Sequence, residues 1–192
     1  MNQLNGLEKS IAFINCQLRA GHQRLDENED PGAIRAVTIS RQTGSGGHSI
    51  AEKLAEHLQN QDHSDAQGWA VFDRNLVERV LQDHNLPARL ARFMPEDRVS
   101  EIADSMDELF GLHPPSWILA RKTSETILNL VQLGRVIVIG RGGNIVTSRL
   151  PHVLHVRLVG TLAARAKRQE KINASSPEEA IRQVVREDLA RQ

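Results

Sequence analysis

The 192-residue chain is long enough for one domain with a substantial core, and its 40% hydrophobic and 25% charged residues are ordinary for a globular protein. Lys plus Arg equals Asp plus Glu at 24 each, so overall charge gives no support to binding nucleic acid or a membrane surface. Four Phe, two Trp and no Tyr leave too few aromatic platforms for stacking bases.

The first predicted element is an amphipathic helix over residues 3–20. Leu4, Leu7, Ile11, Ile14 and Leu18 recur at spacings of three and four, and Gly21 stops it. The preferred reading docks this helix on its own domain. The same spacing also fits a heptad seam, which leaves a homodimer through this helix as the alternative. Cys16 is the single cysteine, which excludes an internal disulfide and points to a reducing compartment. No stretch approaches the ~18 apolar residues of a membrane span. The first residues lack a basic region leading into an apolar run. A cytoplasmic protein is expected. Residues 22–33 are polar and acidic and read as a linker, so the domain proper is expected over 34–192.

An α/β pattern follows. Ala36–Ile39 is a short strand, then comes the run Gly44-Ser45-Gly46-Gly47, then a helix starting near His48 with Ile50, Ala51, Leu54, Ala55 and Leu58 on one face. Trp69–Phe72 is a second strand ending in Asp73. Residues 74–134 read as mostly helical, with Ile118–Leu133 a clear helix closed by Gly134. Val136–Ile139 is a continuous apolar run, typical of a strand buried on both faces. Val153–Leu158 is a fourth strand. Two helices finish the chain, the last opened by a capping box from Ser176 to Glu179 with Pro177 at its first position. Alternating strands and helices imply an α/β fold, a parallel sheet covered by helices on both faces. Ligands of such sheets bind at the carboxyl ends of the strands. Arg41–Ser49, Asp73 and Arg141 all fall there.

The strand–glycine loop–helix succession suits phosphate, because backbone N–H groups at a helix start cradle anions. An orthodox P-loop reads G-x-x-x-x-G-K-[ST]. Here Gly46 matches the second glycine, Arg41 stands at the first, and Gly47 stands where Lys is expected. The charge that Lys supplies must then come from Arg41 or from the C-terminal arginines. A plain strand-to-helix turn is the alternative for the glycine run. A Rossmann fingerprint is a weaker reading, because the third glycine is missing. Eight His without metal-ligand spacing and one Cys give no zinc site. His48 beside Ser49 has no third partner for a hydrolase triad.

The segment Thr38-Ile39-Ser40-Arg41-Gln42-Thr43-Gly44-Ser45-Gly46-Gly47-His48-Ser49 resembles the cytidylate kinase-like family, a divergent branch of the nucleoside monophosphate kinases. Phe72-Asp73-Arg74-Asn75-Leu76 is similar to the family's element after strand two. Val136 through Gly142 is similar to its Gly-Arg-Gly element after strand three. The likeness spans roughly residues 36–191.

This resemblance implies a P-loop NTPase-type kinase that uses ATP and Mg²⁺ and phosphorylates a nucleoside monophosphate, CMP or dCMP. It implies that Gly44, Ser45, Gly46, Gly47 and His48 contact the donor phosphates and that Ser49 offers the Mg²⁺ hydroxyl. A first-turn helix serine is the alternative for Ser49. Asp73, Arg79 and Arg141 would bind the acceptor within a monophosphate-binding region over 73–115. Arg79 fits a solvated helix face equally well, and Arg141 fits a structural ion pair. Arg41, Arg141, Arg165 and Arg186 would neutralise charge during transfer, the latter two from lid-like helices over 160–192. That tract helps give residues 141–192 ten Lys/Arg against five Asp/Glu. A solvated, charge-paired helix would have the same composition.

Two departures are visible. Ile139 and Gly142 stand where orthodox cytidylate kinases carry acidic residues beside the Gly-Arg pair. The chain also ends near the lid helix, where kinases of this fold add a fifth strand. A sheet lacking its last strand, with an exposed edge, is therefore expected. The leading expectation is an ATP-dependent nucleoside monophosphate kinase. A catalytically weak or inactive nucleotide-binding module is the alternative.

Overall fold

The computed structural model describes residues 12–14, 34–61, 68–73, 118–140 and 142–190. Four strands form one parallel sheet: β1 (Ala36–Arg41), β2 (Ala70–Phe72), β3 (Val136–Ile139) and β4 (Val153–Leu158), in the order β2-β3-β1-β4. Ala36 sits opposite both Val136 and Val153, so the three longest strands start level and end at one rim. Among the described residues the helices that accompany them, besides the helical piece 12–14, are α1 (Gly47–Gln61), α2 (Ile118–Leu133), α3 (Gly143–Val146), α4 (Leu162–Asn173) and α5 (Pro177–Leu189).

The α/β class and the parallel sheet are as expected, and the physical reason is plain in the core. β1 and β3 are inner strands, and Val136–Ile139 is buried throughout. One face packs on α2 through Ile127, Leu128, Leu130 and Val131, together with Phe72, Val136 and Val138. The other packs on α1 through Ala51 and Ala55 with Val37, Ile39, Ile137 and Ile139. Helices thus cover both faces, as parallel strands require.

Of the N-terminal helix only residues 12–14 are described, and they are helical. Ile14 is fully buried in the α2-side core, and Phe13 meets Phe72 edge to face at 6.4 Å. This piece docks on its own domain; the rest of the expected helix and the heptad seam lie outside the described residues. The region 74–117, with Arg79 and most of the expected monophosphate-binding region, also lies outside them. So does Arg141. No helix among the described residues is long and apolar enough to cross a membrane.

Boundaries shift slightly. β1 runs on to Arg41, because the β4 partners continue to Leu158. α1 begins at Gly47, one residue earlier than the periodicity suggested. α3 is a four-residue turn with Gly142, in the left-handed region at φ 68°, as its N-cap.

Candidate functional site: the glycine loop and its clasp

β1 hands the chain to α1 through Gln42–Gly46. Gln42 N–H donates to Leu158 O at 3.1 Å, and Gly160 N–H donates to the Gln42 side-chain oxygen at 3.1 Å, so the loop leaves the sheet tied to β4. Gly44 and Gly46 have φ of 75° and 84°. An L-residue rarely adopts this region, which accounts for glycine at both positions. The turn brings the chain over the N-terminus of α1. The first amides of a helix have no intrahelical acceptor, and the helix dipole makes that end electropositive.

A second feature of this turn is a buried hydroxyl. Ser45 is 9% exposed, and its Oγ is buried without a hydrogen-bond partner. Leaving a buried polar group unpaired costs roughly 1–3 kcal/mol, and Ser45 Oγ is one of five such side-chain atoms among the described residues and the one that lies in the glycine loop. The loop also has no room to spare. A Cβ at Gly44 would run into the backbone oxygen of Arg165, and one at Gly46 would lie 2.6 Å from Arg168 Nη1.

The far wall is the α4–α5 pair. Thr161 caps α4, and the Ser176–Glu179 capping box opens α5, with Pro177 just inside, as the sequence indicated. Arg165 is 7% exposed. Its Nε donates to Gly160 O at 2.9 Å, and its Nη1 donates to Thr43 O at 3.0 Å and to Asp188 Oδ2 at 2.5 Å. The Thr43 N–H donates to Asp188 Oδ1 at 2.8 Å, and the Thr43 hydroxyl donates to Glu187 Oε2 at 3.2 Å. The clasp therefore holds Thr43 by its N–H, its carbonyl and its hydroxyl. Burial pushes the Asp188 carboxyl up. The hydrogen bonds from Thr43 N–H and Arg165 outweigh that and leave it below the ordinary aspartate value.

Arg168 is exposed and donates from Nη1 to Gly44 O at 3.1 Å, which puts its guanidinium against Gly46. Arg41 approaches from the opposite side. Its Cδ crowds the place of a Cβ on Gly47, and its Nη1 lies 2.8 Å from the place of a Cβ on Gly140.

The structure thus brings Arg41, Gly44, Ser45, Gly46, Gly47 and Arg165 to one loop. His48 and Ser49 are exposed on the first turn of α1, and His48 Nε2 lies 3.2 Å from Glu52 Oε1. Asp73 is half-buried at the end of β2. Arg186 is exposed on α5; its neighbours Glu187 and Asp188 are the residues that reach the loop. Sequence reasoning missed Thr43, Glu187 and Asp188. The available signal was the adjacent Glu187-Asp188 near the end of the last helix, in a tail where Lys and Arg outnumber Asp and Glu.

The fit to a nucleotide is tested by the cradle itself. The first-turn amides of α1, the Ser45 hydroxyl and the nearby Arg41 and Arg168 guanidinium groups suit an anion. No group of three or more His, Cys, Asp or Glu suited to a metal occurs among the described residues. Ser49, expected to offer a hydroxyl to Mg²⁺, is exposed in the first turn of α1.

Comparison with known proteins supports the fold. The cytidylate kinase-like family matches residues 36–192. An uncharacterized protein from Eubacterium ventriosum ATCC 27560, known from its crystal structure, is similar at a TM-score of 0.60 and 20% identity. The match covers 82% of this chain and 75% of that one. No curated protein matches.

Proposed function

The chain belongs to the cytidylate kinase-like family, and from that premise we propose that it transfers the γ-phosphoryl group of ATP to a nucleoside monophosphate, CMP or dCMP by family likeness. The observation that carries this reading is the glycine loop at the end of the central strand, with its buried, unpartnered Ser45 hydroxyl. Backbone amides of residues 44–48 bind the donor phosphates, and Ser49 supports the accompanying Mg²⁺. Bound Mg²⁺ supplies charge neutralisation on the phosphate oxygens. α4 and α5 act as the lid, with Arg168 over the loop. Asp73, Arg79 and Arg141 take the acceptor. Its phosphate is already ionised, so no general base is needed, and catalysis rests on positioning and charge stabilisation.

One observation favours a second reading, a nucleotide-binding module with little turnover. Arg165 is committed to Thr43 and Asp188, and Arg186 stands away from the loop contacts made by Glu187 and Asp188. That leaves fewer arginines for the transferring group.

Phosphorus NMR of the protein with Mg·ATP and each of CMP, dCMP, UMP and AMP separates the two. The kinase reading expects a nucleoside diphosphate product that disappears in Arg141→Ala. ATP binding by a folded protein with no product from any acceptor would leave the binding module.

A further inference from the structure

We infer that Arg41 and Gly47 are a matched pair in which the phosphate-binding cation of the loop has changed sides: the charge that an orthodox P-loop carries at the start of the helix here comes from the end of β1. The inference rests on the phosphate-binding reading above and names the side chain that serves it.

The sequence contains the exchange in plain form. The orthodox motif has Gly at its first position and Lys after its last glycine. This chain has Arg41 and Gly47 in those two places. The structure gives the exchange a steric reason. A Cβ on Gly47 would collide with Arg41 Cδ and lie 3.1 Å from Arg41 Nε. A side chain at position 47 therefore requires the stem of Arg41 to move from where it lies in this structure.

The backbone explains why this glycine differs from its neighbours. Gly44 and Gly46 have positive φ, so their own conformation demands glycine. Gly47 does not; it is the first residue of α1, where any ordinary residue fits. What demands glycine at 47 is the arginine across the loop. The same holds in part at Gly140, where a Cβ would lie 2.8 Å from Arg41 Nη1, although there φ is 77° as well. The arginine is thus threaded between two glycines, one opening α1 and one ending β3.

The ligand class follows from the cation. A guanidinium stays charged at every working pH and presents parallel N–H donors that match two oxygens of one phosphate. At the helix N-terminus beside a buried spare hydroxyl, that chemistry suits the polyphosphate of a nucleoside triphosphate.

The test is a double-mutant cycle on the full chain. It is read by calorimetric titration with Mg·ATP and, separately, with inorganic tripolyphosphate, and thermal unfolding checks each variant. Arg41→Gln is expected to weaken both ligands roughly ten- to a hundredfold, the loss typical of one charge-assisted contact. Gly47→Ala is expected to weaken them about tenfold while Arg41 is present, and no further once residue 41 is Gly; residues in direct contact couple in this way. The exchange variant, Arg41→Gly with Gly47→Lys, is expected to return to within about fivefold of wild type, since it restores the orthodox arrangement. Wild-type affinity in folded Arg41→Gln, or strictly additive losses in the cycle, overturns the inference. Should Arg41→Gln not fold, Gly47→Ala alone decides, and unchanged affinity overturns it. A wild-type protein that binds neither ligand sinks the phosphate-binding reading and this inference together. Tight wild-type binding without coupling between 41 and 47 sinks this inference alone.

Discussion

The two sides of the glycine loop are built differently. Toward β3 the loop meets a guanidinium threaded between Gly47 and Gly140. Toward the C-terminal helices it meets a guanidinium already neutralised, because Arg165 is paired with Asp188 and both grip Thr43. The first arrangement lays an arginine stem against two glycines. The second uses a cation as a fastener. Arg165 and Arg168 sharpen the lesson, since they lie on one helix three residues apart. One is buried and bonded on several sides; the other is exposed and donates to Gly44 O. Charge alone does not assign a role to an arginine; burial and the number of partners do.

The comparison can be broken most severely at Gly44. Gly44→Ala places a Cβ against the Arg165 backbone oxygen in a left-handed conformation, and backbone cannot swing aside. A loss of about 3 kcal/mol in urea unfolding is expected. Next comes the fastener. Arg165→Ala strands Asp188, whose side chain is 22% exposed and so partly solvated. A loss of roughly 2 kcal/mol is expected, below the usual figure for a fully buried pair. Arg165→Lys should not restore it, because an ammonium lacks the fork that reaches Gly160 O, Thr43 O and Asp188 together.

A smaller effect is expected with pH. The folded Asp188 carboxyl titrates below its ordinary value of 3.8, so its contribution is present above that value and is lost as pH falls through the lower folded one. The stability gap between wild type and Asp188→Asn should therefore be open at about pH 6 and close below about pH 4. A gap that persists unchanged on acidification would mean the carboxylate is not the group that matters. The smallest effect on stability belongs to Arg168→Ala, expected within about 0.5 kcal/mol of wild type because the side chain is exposed. If Arg168 serves the proposed phosphate site, the same variant weakens Mg·ATP several-fold, an effect that calorimetry separates from folding.

Much of this fold was legible in the chain. Val136–Ile139 has no polar residue and could only be an inner strand, and β1 was fixed by the glycine loop that follows it. The capping box at Ser176 and Glu179 is local chemistry, so it could be read locally. The clasp could not. Arg165 and Asp188 are separated by 23 residues and Thr43 and Asp188 by 145, and no periodicity reports contacts of that span. Arg165 and Arg168 lie three residues apart, a spacing that puts them on one helix face; packing against Thr43 and Gly44 gives them different partners. The role of Gly47 was hidden for the same reason. Its neighbour in space is the side chain of Arg41, which motif spacing does not reveal.

The bond between the Thr43 N–H and Asp188 has a consequence for the order in which the protein becomes competent. A contact spanning most of the chain is slow to form, because its loop-closure entropy must be met before it gives anything back. The sheet can assemble around β1 and β3 from contacts of its own. The turn after β1 reaches its final shape only when the last turn of α5 has been made and laid beside it. In a pulse-labelling hydrogen-exchange experiment the Thr43 amide should gain protection with α5 and after β3. The earliest glycines of the domain are thereby the last part to set, and a newly made chain completes its glycine loop only as α5 arrives.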